Sequence, residues 1–105
     1  VRVEDPSCPA TRGIGDGDVL VDEWYGFHDN PRPHVNVVAT VDEATYDPYF
    51  GEMGPDHPIV WWREFGGGRS VYNSMGHSCA AWIDPKFLGT VLGGIDLAAG
   101  ITSRV

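Results

Sequence analysis

The sequence predicts an α/β domain: a small mixed sheet with a single helix packed across it. Three observations carry that expectation. His34 to Val41 holds a nearly continuous β-branched run (Val35, Val37, Val38, Thr40), of the kind that fills a strand buried on both faces. Two strand-like runs, 59–65 and 69–75, are separated by Gly66-Gly67-Gly68 and read as an antiparallel hairpin, since glycine tolerates the positive φ of a tight turn. From Phe87 onward, Leu88, Val91, Leu92, Ile95 and Ala98-Ala99 recur at spacings of three and four, the mark of one apolar helix face. Asp84 and Pro85 supply the N-cap and the first helical residue, and Gly100 the stop. Gly93-Gly94 inside that helix costs up to about 1 kcal/mol per residue against Ala, which a close approach to the sheet would explain.

The remaining elements follow in chain order. Val1 to Glu4 alternates like the end of a strand, and Asp5-Pro6 with Pro9 breaks it. Ala10 to Asp18 is a loop rich in Gly and Asp. Val19-Leu20-Val21 enters Asp22-Glu23-Trp24-Tyr25-Gly26-Phe27 and reads as a strand, followed by a proline-bounded loop through Pro33. Asp42 to Asp56 has no period and is longer than a connection needs, which fits a surface excursion or the rim of a site. Adjacent Trp61 and Trp62 must face opposite sides of their strand, one buried and one partly exposed.

The chain has 105 residues, 42% apolar and 11% aromatic, which is enough for a core and excludes a disordered composition. The formal charge of −8 argues against a nucleic-acid surface and against an anionic membrane face. No run approaches the ~20 apolar residues of a membrane helix. Cys8 and Cys79 form no CxxC pair, which points to free thiols in a reducing compartment and marginally favours the cytoplasm. The start at Val1, without Met, is read as lying inside a longer protein.

Among residues able to do chemistry, His77 follows Gly76 at the end of the hairpin's second strand. That is the carboxyl edge where α/β sheets bind ligands, and a histidine there can serve as acid or base. Its bland alternative is a histidine that hydrogen-bonds a loop. Asp22 and Glu23 are adjacent carboxylates and serve one site only if their strand ends there. Trp24 or Tyr25 then offers a stacking face for a sugar, against the alternative of core packing. Arg69, near the hairpin turn, can meet an anionic group or a surface carboxylate. His28, His34, His57 and His77 show no HxH or HxxxH spacing, so no metal or cofactor is expected, and His57-Pro58 reads chiefly as a strand entry. No GxSxG elbow or Ser-His-Asp order occurs.

Several stretches in order, spanning almost the whole chain, resemble the C-terminal half of a ThuA-like (trehalose-utilisation) domain. They are Asp5-Pro6 with Pro9-Ala10-Thr11, Asp22-Glu23-Trp24-Tyr25, Pro31-Arg32, Asp56-His57-Pro58-Ile59 with Trp61, Gly68-Arg69 with Tyr72, Gly76-His77 and the helix from Phe87 to Gly100. The resemblance implies a three-layer α/β/α sandwich, flavodoxin-like and of the class I glutamine amidotransferase type, of which residues 1–105 would be the C-terminal part. It implies an N-terminal half as partner, whose absence would leave the valine strand exposed and the chain marginal in stability. It also implies a small-molecule carbohydrate ligand, trehalose-derived or a keto-sugar. Related amidotransferases carry their catalytic histidine after the strand that matches the one before His77. Cys8 stands where members often have histidine. The expected function is hydrolysis or isomerisation of a sugar, with His77 and Glu23 catalytic and Asp22, Trp24, Tyr25, His57 and Arg69 binding substrate. The alternative is a non-catalytic sugar-binding or accessory domain of a larger sugar-processing protein, secreted or not, and a homo-oligomer is compatible with either.

Overall fold

A computed structural model describes residues 1–101. Four strands, β1 (Arg2–Val3), β2 (Asn36–Thr40), β3 (Pro58–Phe65) and β4 (Gly68–Asn73), form one sheet in the order β1-β2-β3-β4. One α-helix, α1 (Pro85–Ala99), follows, and short 3-10 turns fill several connections. The fold is thus α/β, but every neighbouring pair of strands is antiparallel, so the expected mixed sheet is not what forms. A run of β-branched residues records burial, not the direction of the neighbouring strand. A helical layer on each face of the sheet is likewise not seen among the described residues.

The hairpin forms as its glycines require. Phe65 pairs with Gly68, and Gly66 and Gly67 both adopt positive φ, 58° and 81°, the condition of a tight two-residue turn. Helix α1 begins where Asp84 accepts a hydrogen bond from the Lys86 N–H at 2.9 Å, and it ends at Gly100 in the left-handed region.

Which face of α1 is buried differs from the sequence reading. Phe87, Thr90, Gly93, Gly94 and Asp96 are buried, whereas Leu92 and Ile95 are more than half exposed. The reason is a close backbone contact. A Cβ on Gly93 would lie 1.6 Å from the Pro9 carbonyl oxygen, and one on Gly89 2.6 Å from that of Arg12. The glycines therefore seat the helix chiefly on the 9–12 turn, and only Gly94 faces the sheet, at Val71. Arg12 fastens the same junction through an ion pair of 2.8 Å to buried Asp96. The helix covers β4, and the 9–11 turn reaches β2 and β3.

Val38 and Ala39 are almost fully buried beside Ile59 and Val60, so the valine strand is not left open as expected. Trp61 and Trp62 do point to opposite faces, but both are partly buried. Trp62 packs on the core, while Trp61 stacks on Tyr72 at 4.3 Å, with Phe27 against both. Both faces of β3 are therefore covered there. Residues 19–25 form no strand. Val19 and Val21 are 88% and 94% exposed, and polar groups of this segment pair with distant groups rather than with a neighbouring strand.

Candidate functional site

The site begins where β4 ends. Beyond Asn73 the chain stays on the sheet for one more residue, as the Ser74 N–H donates to the Ile59 carbonyl at 2.9 Å. At Gly76 it turns sharply with φ at 102°. Any side chain there would also strike the Phe87 ring, since a Cβ would lie 2.7 Å from it. This turn aims the N–H groups of Gly76 and His77 at one carboxylate. Asp22 accepts from Gly76 at 2.8 Å through Oδ2 and from His77 at 3.1 Å through Oδ1. Its Oδ1 also accepts the N–H of Glu23, at 2.8 Å. Asp22 is thus occupied by backbone, holding His77 in place.

Glu23 and Tyr25 then grip the imidazole from its two sides. The Nε2 of His77 lies 2.9 Å from Glu23 Oε2, and Nδ1 lies 3.1 Å from the Tyr25 hydroxyl. The Glu23 carboxylate favours a hydrogen on Nε2, and with the hydrogen there Nδ1 accepts from the phenol. The two rings meet edge to face. Adjacent carboxylates on a strand would diverge, but in this irregular segment Asp22 takes the backbone of His77 and Glu23 its ring. About half of the His77 and Glu23 side-chain surface is open to solvent.

Tyr25 is held from below as well. His57, fully buried, donates from Nε2 to the Tyr25 carbonyl at 2.8 Å. Its Nδ1 faces Glu43 Oε2 at 2.7 Å and the Tyr46 hydroxyl at 3.2 Å. Glu43 also accepts the N–H groups of Met53 and Gly54 at 2.6 and 2.9 Å, closing the 42–56 loop on itself. Burial pushes the Glu43 carboxyl up, but those N–H donors and His57 outweigh it and hold the carboxyl below its ordinary value. Burial raises the Tyr46 phenol to about 12, with Glu43 adding to the shift.

Residues 22–26 and 46–51 line an open cleft of about 470 Å³. The two segments touch at their glycines, where a Cβ on Gly26 would lie 2.5 Å from the Gly51 carbonyl oxygen. Tyr49 and Phe50 project from the outer wall, 78% and 108% exposed. Tyr49 is the sole described non-glycine residue at positive φ, 48°.

The residues singled out from sequence separate accordingly. Asp22, Glu23, Tyr25 and His77 come together. Trp24 lines the cleft but packs against the core. His57 is sealed beneath and reaches the site only through the Tyr25 carbonyl. Arg69 sits at the far end of β4, donating to the Leu97 carbonyl at 3.3 Å, and does not join the site. Glu43 and Tyr46 escape sequence reasoning, because nothing in their spacing from His57 marks a contact. The Tyr49-Phe50 pair was legible in principle, as adjacent aromatics in a polar, Pro- and Gly-rich loop. Beside the site, the Arg32 guanidinium grips both Asp56, at 2.8 Å, and Glu4, at 2.6 and 2.9 Å. Those hydrogen bonds hold Arg32 well above its usual value and, with Asn30 assisting, Asp56 below its own. Among the described residues no group of three His, Cys, Asp or Glu side chains is placed to hold a metal ion.

Comparison with known proteins agrees with the family resemblance read from the sequence. The family model described as trehalose utilisation, ThuA, matches residues 1–98. No curated protein and no solved structure matches the chain. With nearly its whole length covered, the chain belongs to the ThuA trehalose-utilisation family.

Proposed function

We propose that this chain carries the acid/base centre of a protein acting on a trehalose-derived or keto-sugar small molecule, by hydrolysis or isomerisation. Membership of the family supplies the carbohydrate context. The observation that carries the chemistry is the imidazole of His77 held between a carboxylate and a phenol at 2.9 and 3.1 Å. Histidine exchanges a proton near neutral pH, and a carboxylate at its second nitrogen fixes the tautomer and stabilises the imidazolium that forms. The cleft beside it pairs hydroxyl-accepting oxygens with the exposed rings of Tyr49 and Phe50, the mixture a sugar's polar edge and apolar face require. On the same reading the chain is the C-terminal part of a three-layer flavodoxin-like domain, supported by Leu92 and Ile95, which leave an apolar strip of α1 uncovered.

The test is a titration of the protein with trehalose and with a keto-disaccharide, following backbone amide shifts and product formation together. Shifts at 22–26, 46–51 and 76–77, with turnover lost in His77→Ala at an almost unchanged melting temperature, are the expected result. Saturable binding without turnover would assign the chain to the sugar-binding modules instead. Failure of both sugars to shift those amides would refute the carbohydrate reading.

A further inference from the structure

We infer that Tyr25, not His77, presents the reacting atom to the substrate, with His77 acting through it and Glu23 balancing the charge. The inference rests on the acid/base reading above and deepens it. Nδ1 of His77 is already bonded to the Tyr25 hydroxyl, and the Glu23 carboxylate stands 2.9 Å from Nε2, so a substrate meets the phenol before it meets Nδ1 and must pass a carboxylate to meet Nε2. The Tyr25 hydroxyl spends its single hydrogen on Nδ1 and keeps oxygen lone pairs to spare. Tyr25 is also fixed at both ends, with its carbonyl on buried His57 at 2.8 Å and its hydroxyl on His77 at 3.1 Å, while 42% of it stays exposed. Such anchoring at both ends suits a group that must meet a ligand at a set position.

The proton path balances. A substrate hydroxyl gives its proton to Tyr25 Oη as Tyr25 passes its own to His77 Nδ1. One substrate O–H bond and the phenolic O–H bond break, and a new phenolic O–H and an Nδ1–H bond form. The imidazolium is neutralised by Glu23, and the substrate is left as an alkoxide. Run backwards, the same relay protonates a leaving oxygen. The roles match those of a nucleophile, base and carboxylate in a catalytic triad, with a phenol at the front. The ligand class this favours is a polyhydroxylated small molecule whose hydroxyl can approach within hydrogen-bond distance of a fixed phenol.

The relay is testable without a substrate. N-acetylimidazole acetylates phenols: the Tyr Oη–carbonyl bond forms, the acetyl C–N bond breaks, and the phenolic proton passes to His77 Nδ1 and from there to the departing imidazole nitrogen. Rates at individual tyrosines are read by peptide mass spectrometry on the full chain. Tyr49, 78% exposed, is the internal control. The relay predicts that Tyr25 reacts at least about tenfold faster than Tyr49, and that His77→Gln lowers the Tyr25 rate by a similar factor, the low end of what a positioned base provides. Glu23→Gln should lower it by less. A merely structural hydrogen bond shields the hydroxyl, so its loss would raise the Tyr25 rate. A wild-type Tyr25 no faster than Tyr49, or a Tyr25 rate unchanged or raised in His77→Gln, overturns the proposal. The wild-type comparison stands even if the variant does not fold. No sugar enters the experiment, so its failure leaves the carbohydrate titration to be judged separately.

Discussion

Replacing Asp22 by Asn changes one atom and asks how His77 is held. The carboxylate accepts three N–H groups, from Gly76, His77 and Glu23, at 2.8, 3.1 and 2.8 Å. An amide keeps one accepting oxygen. With that oxygen toward His77 and Glu23, its NH₂ faces the Gly76 N–H, donor against donor. With the oxygen toward Gly76, the other two bonds are lost. Each bond to a charged acceptor contributes about 1.5–3 kcal/mol when buried. The Gly76 bond is partly buried and the other two are exposed, so about 1 kcal/mol each is the upper end of the scale, and the variant should lose about 1–2 kcal/mol. Urea unfolding gives the total, and amide exchange gives the location: the Gly76 and His77 N–H groups should exchange faster while the β3–β4 hairpin keeps its protection. A variant within about 0.5 kcal/mol of wild type, the range of ordinary surface substitutions, with unchanged exchange at 76 and 77, would show that the carboxylate does not hold this turn.

Other perturbations follow from the same structure. Gly93→Ala gains about 1 kcal/mol of helix propensity, yet its methyl would stand 1.6 Å from the Pro9 oxygen. Backbone cannot yield as a side chain does, so a net loss of at least about 2 kcal/mol is expected by thermal unfolding. Asp56 has its folded-state pKa depressed, first by Arg32, so its stabilisation is complete above the unfolded value of about 3.9 and fades as pH falls through the lower folded value. Urea midpoints between pH 2 and 6 should therefore drop on the acid side, and less steeply in Arg32→Gln. Tyr49→Gly relieves a left-handed conformation worth about 1 kcal/mol and should raise the melting temperature slightly. The same change should weaken trehalose binding in a calorimetric titration, because it strips a ring from the cleft wall.

What could be read from sequence was local. The hairpin follows from glycines that alone suit two successive positive φ values, and α1 from caps lying next to the residues they cap. The segment 19–25 misleads because Val19-Leu20-Val21 is a short apolar run like that of a strand, while the groups that fix it lie 32 to 55 residues away at His57, Gly76 and His77. No window on the sequence contains both ends of such a bond. The same blindness applies within the site. Gly76-His77 advertised itself by ending a strand, whereas the division of labour between Asp22 and Glu23 depends on backbone that is neither strand nor helix. Leu92 and Ile95 carry the right period for a buried face, but Gly89 and Gly93 dock more closely than any apolar side chain could.

The irregular path of residues 12–31 has a kinetic consequence. It contributes no strand or helix, yet it supplies Asp22, Glu23 and Tyr25 through contacts with partners 52, 54 and 55 residues away. Closing such large loops costs entropy before any contact rewards it. The β3–β4 hairpin, joined by a two-residue turn, closes the shortest loop and can form first, and with α1 laid against β4 it provides the surface on which this segment settles. The centre is then the last part of the molecule to assemble and the first to come apart, opening as one cooperative unit below the free energy that dissolves the sheet. Heating or mild urea should loosen residues 12–31 while the strands and helix are still in place, and on the proposed function activity would then be lost before the core melts.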